Sequence, residues 1–408
     1  MTTADPHTID ESSIRYVGWR IVAVCFLVAT VGWGLGFYGQ SVYLAELRRV
    51  HGWPASWISA ATTVFYLTGA LLVAFISDAM RVFGARNCLI AGVACLGLAT
   101  ILLGQIHAVW QLYAVNMLLA CGWAGTSLGA ITNTLGMWFD RRRGMAISLA
   151  LNGASCGGIV GVPLLVGAIG QFGFSGAMIV AAATVMLLLV PVLLLFVGRP
   201  PRRDPAAGAA HGVAEVSASR IRAAALRDAA FLALTVAFAL ALFAQVGLIV
   251  HLIAFLDPVL GREHAAMAVS LLTAMAVVGR LLLSAVIDRL DQRLTSAVSF
   301  ASQALALGIL ILSRNEAVIF LACAVFGFSV GNLITLPALI VQREFDPRAF
   351  GILVSLITAV SQIFYSFGPG VVGVLRDLSG SYTLPFGFCI VLELGAAVLI
   401  MARRPSRA

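Results

Sequence analysis

The chain has 408 residues, of which 61% are hydrophobic and only 11% are charged, whereas soluble proteins carry about 25% charged residues. This composition excludes an ordinary soluble enzyme and indicates a chain that has lipid as its solvent. The net charge is +8 and every basic residue is an arginine, so a lysine-dependent phosphate loop and Schiff-base chemistry are excluded as well.

Long apolar segments predict an all-α integral membrane protein with twelve transmembrane helices, because crossing the bilayer takes roughly 20 apolar residues. The polar first residues lack a basic region followed by a short apolar core, so we expect no cleavable signal peptide. We place the twelve spans at about residues 19–44, 55–77, 87–105, 109–138, 145–170, 174–197, 230–256, 264–287, 294–313, 317–341, 351–374 and 383–402.

The segment 198–229 interrupts this pattern with three prolines and six arginines. Such a composition does not pack in lipid, and it predicts a cytoplasmic linker between two six-helix halves. The expected organisation is an N-terminal tail (1–18), an N-terminal half (19–197), the linker (198–229), a C-terminal half (230–402) and a C-terminal tail (403–408).

The distribution of arginines predicts the orientation. If both termini are cytoplasmic, 20 arginines lie in segments on the inside, five lie in outside loops and Arg280 is left within a span. Cytoplasmic loops carry an excess of basic residues, so we expect a multi-pass protein of the inner (plasma) membrane with both termini in the cytoplasm. The arginines are explained by topology, and we expect no nucleic acid partner.

The two halves repeat each other weakly. Gly69 precedes Asp78 by nine residues at the end of span two, and Gly279 precedes Asp288 by nine residues at the end of span eight. Further matches follow spans four and ten, where Phe-Asp pairs begin similar loops. Similarity at half-chain spacing predicts two pseudo-symmetric halves related as parallel repeats.

Arg280 is the sharpest functional signal in the sequence. It lies within span eight, about 12 Å of helix rise before Asp288, and its repeat counterpart is Ala70. A charged side chain inside the membrane is costly and marks a functional site by default. The alternative is a structural ion pair, for which the only mid-span acid is Glu393 on span twelve. We favour binding of an anionic ligand.

Other polar residues within the spans are candidates for lining a substrate path or for hydrogen bonds between helices. As substrate-binding candidates, together with Arg280, we select Tyr38, Asn116, Asn152, Asn332 and Tyr365.

Three residues are candidates for proton coupling: His251, Asp257 and Glu393. Histidine titrates near neutral pH, although His251 is equally consistent with a structural role. The histidines and seven single cysteines show no metal or redox spacing, and we expect neither a metal nor a cofactor.

Charged loops at the inner ends of the spans set the topology, and they are also candidates for clamping helix ends in one conformational state. These conformational candidates are Asp78, Arg86, Arg142, Arg143, Asp288 and Arg289.

Glycines follow two patterns in the spans. Gly153, Gly157 and Gly161 recur every four residues in span five, which predicts either close helix packing or a gate between the halves. The run from Gly34 to Gly39 in span one matches a dinucleotide fingerprint by letters only, because no strand precedes it, and we discard that interpretation.

The stretch from Trp138 through Arg142 to Gly157 resembles the span-five signature of monocarboxylate porters, from which Asn152 departs. The pair Gly279–Arg280, before Asp288, is similar to the span-eight arginine of those porters and of oxalate–formate antiporters. The resemblance implies the major facilitator fold over essentially the whole chain, with a carboxylate gripped by Arg280 and often a proton moving alongside. Oxalate-type antiporters add a span-eleven lysine, which is absent here, and this favours a singly charged substrate.

The leading hypothesis is therefore a monomeric secondary transporter of a small organic anion, in particular a monocarboxylate, working by alternating access and not as an enzyme. An efflux pump for lipophilic compounds is the alternative within transport, with Arg280 in a structural role. A membrane sensor on a transporter scaffold is a third hypothesis, but such sensors usually add a long soluble segment.

Overall fold

The apolar segments fold into helices throughout the computed structural model, which describes residues 11, 13, 16–198 and 214–402. Two segments are π-helical, Gly32–Tyr38 and Gly157–Gly161. The α-helices are α1 (Gly18–Val31), α2 (Gly39–His51), α3 (Ala55–Ala74), α4 (Ile76–Phe83), α5 (Ala85–Leu103), α6 (Val109–Thr126), α7 (Leu128–Gly136), α8 (Arg143–Cys156), α9 (Val162–Phe196), α10 (Ala214–Ala225), α11 (Ala229–Leu260), α12 (Arg262–Val286), α13 (Gln292–Leu312), α14 (Glu316–Glu344), α15 (Phe350–Ser366), α16 (Gly368–Ser379) and α17 (Thr383–Ala402).

Gly173 explains why the number of spans is twelve. In the described part of the chain, eleven helical stretches are long and apolar enough to cross a membrane, and the one from Arg143 to Phe196 has 54 residues. That length corresponds to about 80 Å, far more than the hydrocarbon thickness of about 30 Å. Gly173 breaks the stretch with non-helical angles, φ 70° and ψ 174°. The break divides it into spans five and six, and the twelve predicted spans are confirmed.

Some membrane spans contain more than one of these helices, and others are a single helix. Span one contains α1, the first π-helical segment and α2; span two contains α3 and α4; span three is α5; span four contains α6 and α7; span five contains α8, the second π-helical segment and α9 up to Gly173; span six is the rest of α9; spans seven to ten are α11 to α14; span eleven contains α15 and α16; and span twelve is α17.

Span one shows that apolar patterning locates the membrane-crossing segment more accurately than it locates the ends of the helix. The predicted segment was 19–44, whereas the helix continues to His51. Its last turn carries Arg48 and Arg49, and basic residues in a last turn interact favourably with the negative end of the helix dipole. The apolar pattern marks the lipid boundary, and the helix ends only at Gly52, which has a positive φ of 68°.

The two halves meet through a subset of spans. Spans one, two and five contact spans seven, eight and eleven of the other half. Span three packs on spans four and six, and span twelve packs on spans seven, nine and eleven of its own half. The contact surface between the halves therefore lies along spans one, two, five, seven, eight and eleven.

Glycines allow some helices to touch backbone to backbone. A Cβ atom at Gly157 would lie 2.5 Å from the Thr30 carbonyl oxygen, and one at Gly153 would overlap the Phe26 carbonyl oxygen. This glycine face of span five therefore packs on span one of the same half, which favours the packing interpretation of the repeat.

Spans eight and ten are joined in the same way within the C-terminal half. A Cβ atom at Gly279 would overlap the carbonyl oxygen of Phe328, and one at Gly331 would overlap that of Ala276. Small residues permit such close approach in membranes, where van der Waals packing holds helices together.

Residues 199–213 of the predicted linker lie outside the described residues, as do the whole predicted C-terminal tail and most of the predicted N-terminal tail. Helix α10 occupies the second part of the linker and contacts α15. The division into tails, halves and linker therefore stays a prediction. We call the end of the bundle where α1 begins and α17 finishes the terminus-bearing end, and the opposite end the loop end.

Candidate functional site

The two π-helical segments lie against each other near the middle of the molecule. A Cβ atom at Gly157 would lie 2.7 Å from the Gly34 nitrogen, so the two backbones touch. Short π-helical turns widen a helix and occur frequently at functional sites. The first segment ends at Tyr38, which places this side chain at the contact between the two halves.

Tyr38 meets span eight of the other half. It lies within hydrogen-bonding reach of the Thr273 side chain and interacts electrostatically with Arg280. A Cβ atom at Gly158 would lie 2.6 Å from the Thr273 hydroxyl oxygen and 2.9 Å from the Tyr38 ring. Spans one, five and eight therefore converge at this point, and Gly158 leaves the room that Tyr38 needs.

Arg280 is half-buried and its guanidinium is not neutralised. Its Nε atom is buried without a hydrogen-bond partner, and among the described residues no carboxylate forms an ion pair with it. A buried, unsatisfied charged donor costs more than a neutral one. The arrangement therefore favours an anion that binds here over a structural ion pair.

Two further tyrosines extend the cluster across the interface. Tyr66 of span two and Tyr365 of span eleven face each other with ring centroids 5.8 Å apart, edge to face. The Tyr66 hydroxyl is buried and has no hydrogen-bond partner among the residues that the structure describes, although buried phenols usually find one. It interacts electrostatically with Tyr38 and Tyr365, so the three phenols form one group, which Tyr38 connects to Arg280.

Aromatic rings of the N-terminal half continue from Tyr38. Phe37 lies 5.1 Å from the Tyr38 ring and 6.4 Å from Trp123, nearly parallel to it. Trp33 packs 4.7 Å from Trp123. Phe37 and Trp33 are only partly buried, so part of their surface stays available. We call Trp33, Phe37, Tyr66 and Trp123 the aromatic wall.

The structure brings together only some of the predicted substrate-binding residues. Tyr38 and Tyr365 join the cluster at Arg280. Asn332 is buried beside Gly331, which packs on the Arg280 side chain, and its Oδ1 atom has no partner.

Two of the predicted asparagines lie elsewhere. Asn116 is buried two turns before Trp123 and donates to the Leu112 carbonyl. Asn152 is exposed and lines a groove between α1 and α8 with Trp19 and Phe26.

The three proton-coupling candidates differ in environment. His251 is fully buried, and both ring nitrogens are engaged: Nδ1 lies 3.2 Å from the Tyr382 hydroxyl and Nε2 lies 3.0 Å from the Pro369 carbonyl. These bonds fit a neutral ring that links spans seven, eleven and twelve. Asp257 is partly buried near the loop end of span seven.

Glu393 is completely buried on span twelve, and neither carboxyl oxygen has a hydrogen-bond partner within the described part of the chain. Because span twelve packs on spans seven, nine and eleven of its own half, the carboxyl lies away from Arg280. Glu393 therefore does not neutralise the arginine, which removes the one intramolecular acid that the sequence offered.

The conformational candidates lie at the terminus-bearing end. Asp78 pairs with Arg81 at 3.1 Å on the exposed surface of α4. The loop before α8 is held by Glu11, whose carboxylate accepts from the backbone nitrogens of Asp140 and Arg142.

The remaining conformational candidates are placed only in part. The Arg143 guanidinium lies against Gly136. Arg86 borders a groove with Trp138, Arg289 is exposed, and the Asp288 side chain lies outside the described residues.

At the loop end the two halves are held together by polar contacts. Glu46 of span one pairs with Arg262 of span eight at 3.0 Å. Asp377 of span eleven accepts hydrogen bonds from the backbone nitrogens of Ala55 and Ser56 at the start of span two, at 3.3 Å and 2.7 Å. A carboxylate at a helix N-terminus is favourable electrostatically.

Sequence reasoning missed Thr273, Tyr66 and the aromatic wall. Aromatic residues are ordinary constituents of apolar spans, so they carry no signal of their own in a sequence. The spacing of Thr273 and Arg280 by seven residues, which puts them on one face of α12, was the available indication.

Twelve spans in two halves define a polytopic membrane protein of the transporter type, and at the contact between the halves lie a cation and a phenol for which the described residues supply no partner. A family model of the Major Facilitator Superfamily matches residues 22–369, and the chain belongs to this family.

Among curated proteins, the MFS-type transporter pynF of Aspergillus niger is 25% identical over 98% of this chain and 91% of its own length. Monocarboxylate transporter 11 of Mus musculus is 27% identical over 41% of this chain and 37% of its own.

Solved structures share the fold at low sequence identity. A bacterial homologue of the human lysosomal transporter Spinster, in an inward-facing and unoccupied conformation, is 16% identical with a TM-score of 0.74, covering 97% of this chain and 100% of that one. The nucleoside transporter NupG is 13% identical, also with a TM-score of 0.74, covering 95% and 98%.

Proposed function

We propose that the protein is a secondary active transporter of a small organic monoanion, in particular a monocarboxylate, and that Arg280 is its main electrostatic contact with the substrate. The observation that carries the proposal is the buried Nε atom of Arg280, which has no partner and no neutralising carboxylate among the described residues. The partial similarity to a monocarboxylate transporter supports the same substrate class.

A guanidinium suits a carboxylate because two parallel, charge-assisted hydrogen bonds can form between them. The bound anion would neutralise the buried charge and so offset part of the desolvation penalty of the arginine. The Tyr66 hydroxyl, which is also unsatisfied, provides a further donor nearby.

The closed loop end fits an alternating-access cycle. With 20 arginines on the terminus-bearing side and five on the loop side, we propose that the terminus-bearing end faces the cytoplasm of the cell, at the inner (plasma) membrane. The contacts of Glu46 and Asp377 across the loop end then correspond to an inward-facing state. Opening to the outside would require these contacts to break.

Coupling to protons is a further part of the proposal. Both nitrogens of His251 are engaged in hydrogen bonds and Glu393 lies away from Arg280, so we propose that neither group exchanges a proton with the substrate directly. A proton would then travel with the anion or use another group. We propose that the unit of transport is a monomer.

The test is uptake of labelled pyruvate and benzoylformate, two ionised 2-oxo acids, into proteoliposomes at equal protein. Arg280→Ala should abolish uptake above that of protein-free liposomes, and Arg280→Lys should retain little of it, because lysine keeps the charge but loses the fork. The matched control is Arg314→Ala, which removes an exposed arginine at the loop end before α14. Equal uptake by wild type and Arg280→Ala would show that the arginine is structural.

An efflux pump for lipophilic compounds is the second candidate. The partly buried aromatic wall favours it, because such a surface would accept apolar molecules without a charge. In that case uncharged aromatic compounds should bind as well as anions do, and Arg280→Ala should leave their binding unchanged.

A further inference from the structure

The charge and the rings of the central cluster are on opposite sides of the contact between the halves. Arg280 and Thr273 belong to span eight of the C-terminal half, whereas the aromatic wall of Trp33, Phe37, Tyr66 and Trp123 belongs to spans one, two and four of the N-terminal half. Tyr38 stands between them, because it interacts with Arg280 and its ring lies 5.1 Å from Phe37. A ligand at this point meets a cation on one side and π-surfaces on the other.

From this asymmetry we infer that the substrate is an aromatic monocarboxylate, whose carboxylate binds Arg280 and whose ring packs on the aromatic wall. The inference rests on the proposed function and narrows it from small monoanions in general to those with a planar apolar body.

The single positive charge of Arg280 limits the ligand to one negative charge. Among the described residues, Arg280 is the only arginine in the middle of a span, because the other arginines of the spans lie in the first or last turn of a helix. Span eleven carries no basic residue before Arg376 at the loop end. A second carboxylate would therefore enter without a cation to compensate its lost hydration, which is strongly unfavourable in a low-dielectric site. A dianion is excluded on this ground.

The aromatic wall determines which apolar group the ligand carries beside its carboxylate. Phe37 and Trp33 keep part of their surface uncovered beside fully packed neighbours, and Tyr365 does so from the other half. Aromatic rings attract one another in offset or edge-to-face arrangements at centroid distances of about 4.5–7 Å, beyond the gain from burial alone. A methyl group, as in a short aliphatic acid, would reach Arg280 but leave this surface bare.

The unsatisfied Tyr66 hydroxyl fits the same ligand. It is 2% exposed, has no partner, and lies within the group formed by Tyr38 and Tyr365. A polar ligand atom next to the ring would accept its hydrogen bond. A 2-oxo or 2-hydroxy oxygen, located between a carboxylate and an aromatic ring, has that position.

Binding to detergent-solubilised protein tests the inference without a membrane that acids could cross unaided. Pyruvate and benzoylformate differ only by a methyl or a phenyl group on the same 2-oxo acid. We expect benzoylformate to bind at least about tenfold more tightly, the equivalent of 1.4 kcal/mol, measured by calorimetric titration. Cyclohexylglyoxylate should fall between them, and terephthalate and the neutral amide of benzoylformate should bind weakly.

Substitutions test whether the aromatic wall causes the expected preference for benzoylformate over pyruvate. Phe37→Leu should reduce the ratio of benzoylformate to pyruvate affinity severalfold. Trp110→Leu, which changes an exposed tryptophan on α6, should leave that ratio unchanged. Tyr66→Phe, which keeps the ring and removes only the hydroxyl, is the second variant if Phe37→Leu proves unstable. It should weaken both 2-oxo acids and spare benzoate, which has no 2-oxo oxygen.

The outcomes separate the inference from the proposed function. If both acids bind with equal affinity and both are lost in Arg280→Ala, the transporter proposal stands and the aromatic preference is wrong. If neither acid binds and neither is taken up, the proposed function itself is wrong. If the neutral amide binds as tightly as benzoylformate in wild type and in Arg280→Ala, the efflux alternative replaces both.

Discussion

Glu46 of span one and Arg262 of span eight form an ion pair of 3.0 Å that joins the two halves at the loop end. Glu46 is almost fully buried and also pairs with Arg49 of its own helix. Because buried pairs suffer strongly when one partner is removed, Glu46→Gln should weaken the closed loop end and shift the protein toward opening there. A cysteine at Ala55, whose backbone nitrogen contacts Asp377 across the closed loop end, should then react faster with a thiol reagent.

The control for this variant is Glu316→Gln. Glu316 pairs with His264 at 2.8 Å at the same end of the molecule, but both residues belong to the C-terminal half and are half-exposed. This substitution should leave the accessibility of the loop end unchanged. Equal effects of the two substitutions would mean that the ion pair across the halves has no role in closure.

Gly173→Ala should lower the thermal stability of the protein. The backbone angles at Gly173, φ 70° and ψ 174°, are essentially restricted to glycine, and a side chain there would cost about 1–3 kcal/mol of strain. Space is not the limit, since a Cβ atom would meet nothing within 4 Å.

Gly170→Ala gives the matched comparison, because Gly170 has the same free space but helical geometry. It should leave stability unchanged or raise it by up to about 1 kcal/mol, as alanine favours helices over glycine. The melting temperature of the purified protein, followed by intrinsic fluorescence, distinguishes the two. If both alanines behave alike, strain at Gly173 is not what ends span five.

Glu393→Gln should preserve transport and leave its pH dependence unchanged. The carboxyl is sealed in the C-terminal half without a hydrogen-bond partner, where an ionised group would be an isolated charge costing several kcal/mol. Glutamine reproduces the shape of the uncharged acid. Transport rates measured between pH 5 and 8 in proteoliposomes test this, and a flattened pH profile in Glu393→Gln would make Glu393 a coupling site.

The orientation can be tested with two alanine-to-cysteine substitutions in a version without its seven native cysteines. Ala317, exposed at the loop end, should react with an impermeant maleimide in intact cells, and Ala224, exposed on α10, should react only after permeabilisation. The opposite labelling pattern would reverse the topology that the arginines predict.

Much of the fold could be predicted because it follows from the bilayer. Segments of about 20 apolar residues must be helices to satisfy their backbone groups in lipid, and the arrangement in twelve spans follows from their number. The predicted spans leave residues 171–173 between spans five and six, and the break at Gly173 lies in this gap.

The sequence predicts only those site residues whose side chains are unusual within a membrane span. Arg280 stands out because a charge is rare in a span, whereas Thr273 and Trp123 resemble their surroundings. The π-helical segments were also missed, as an evenly apolar sequence hides the period of the helix, and the glycines from Gly34 onward were recognised only as a false nucleotide motif. Partners such as Tyr66 and Tyr365 are brought together by long-range packing that local sequence does not encode.

The backbone contact between spans eight and ten, made at Gly279 and Gly331, also determines how the charge moves. Helices in contact at this distance cannot slide past each other without collision, so Arg280 is fixed to the body of its half, and its position depends on the tilt of that whole half. An anion bound to the guanidinium would move together with the C-terminal half and away from the aromatic rings of the N-terminal half. Release to either side would then be a parting of the two surfaces, with no need for the arginine to change rotamer.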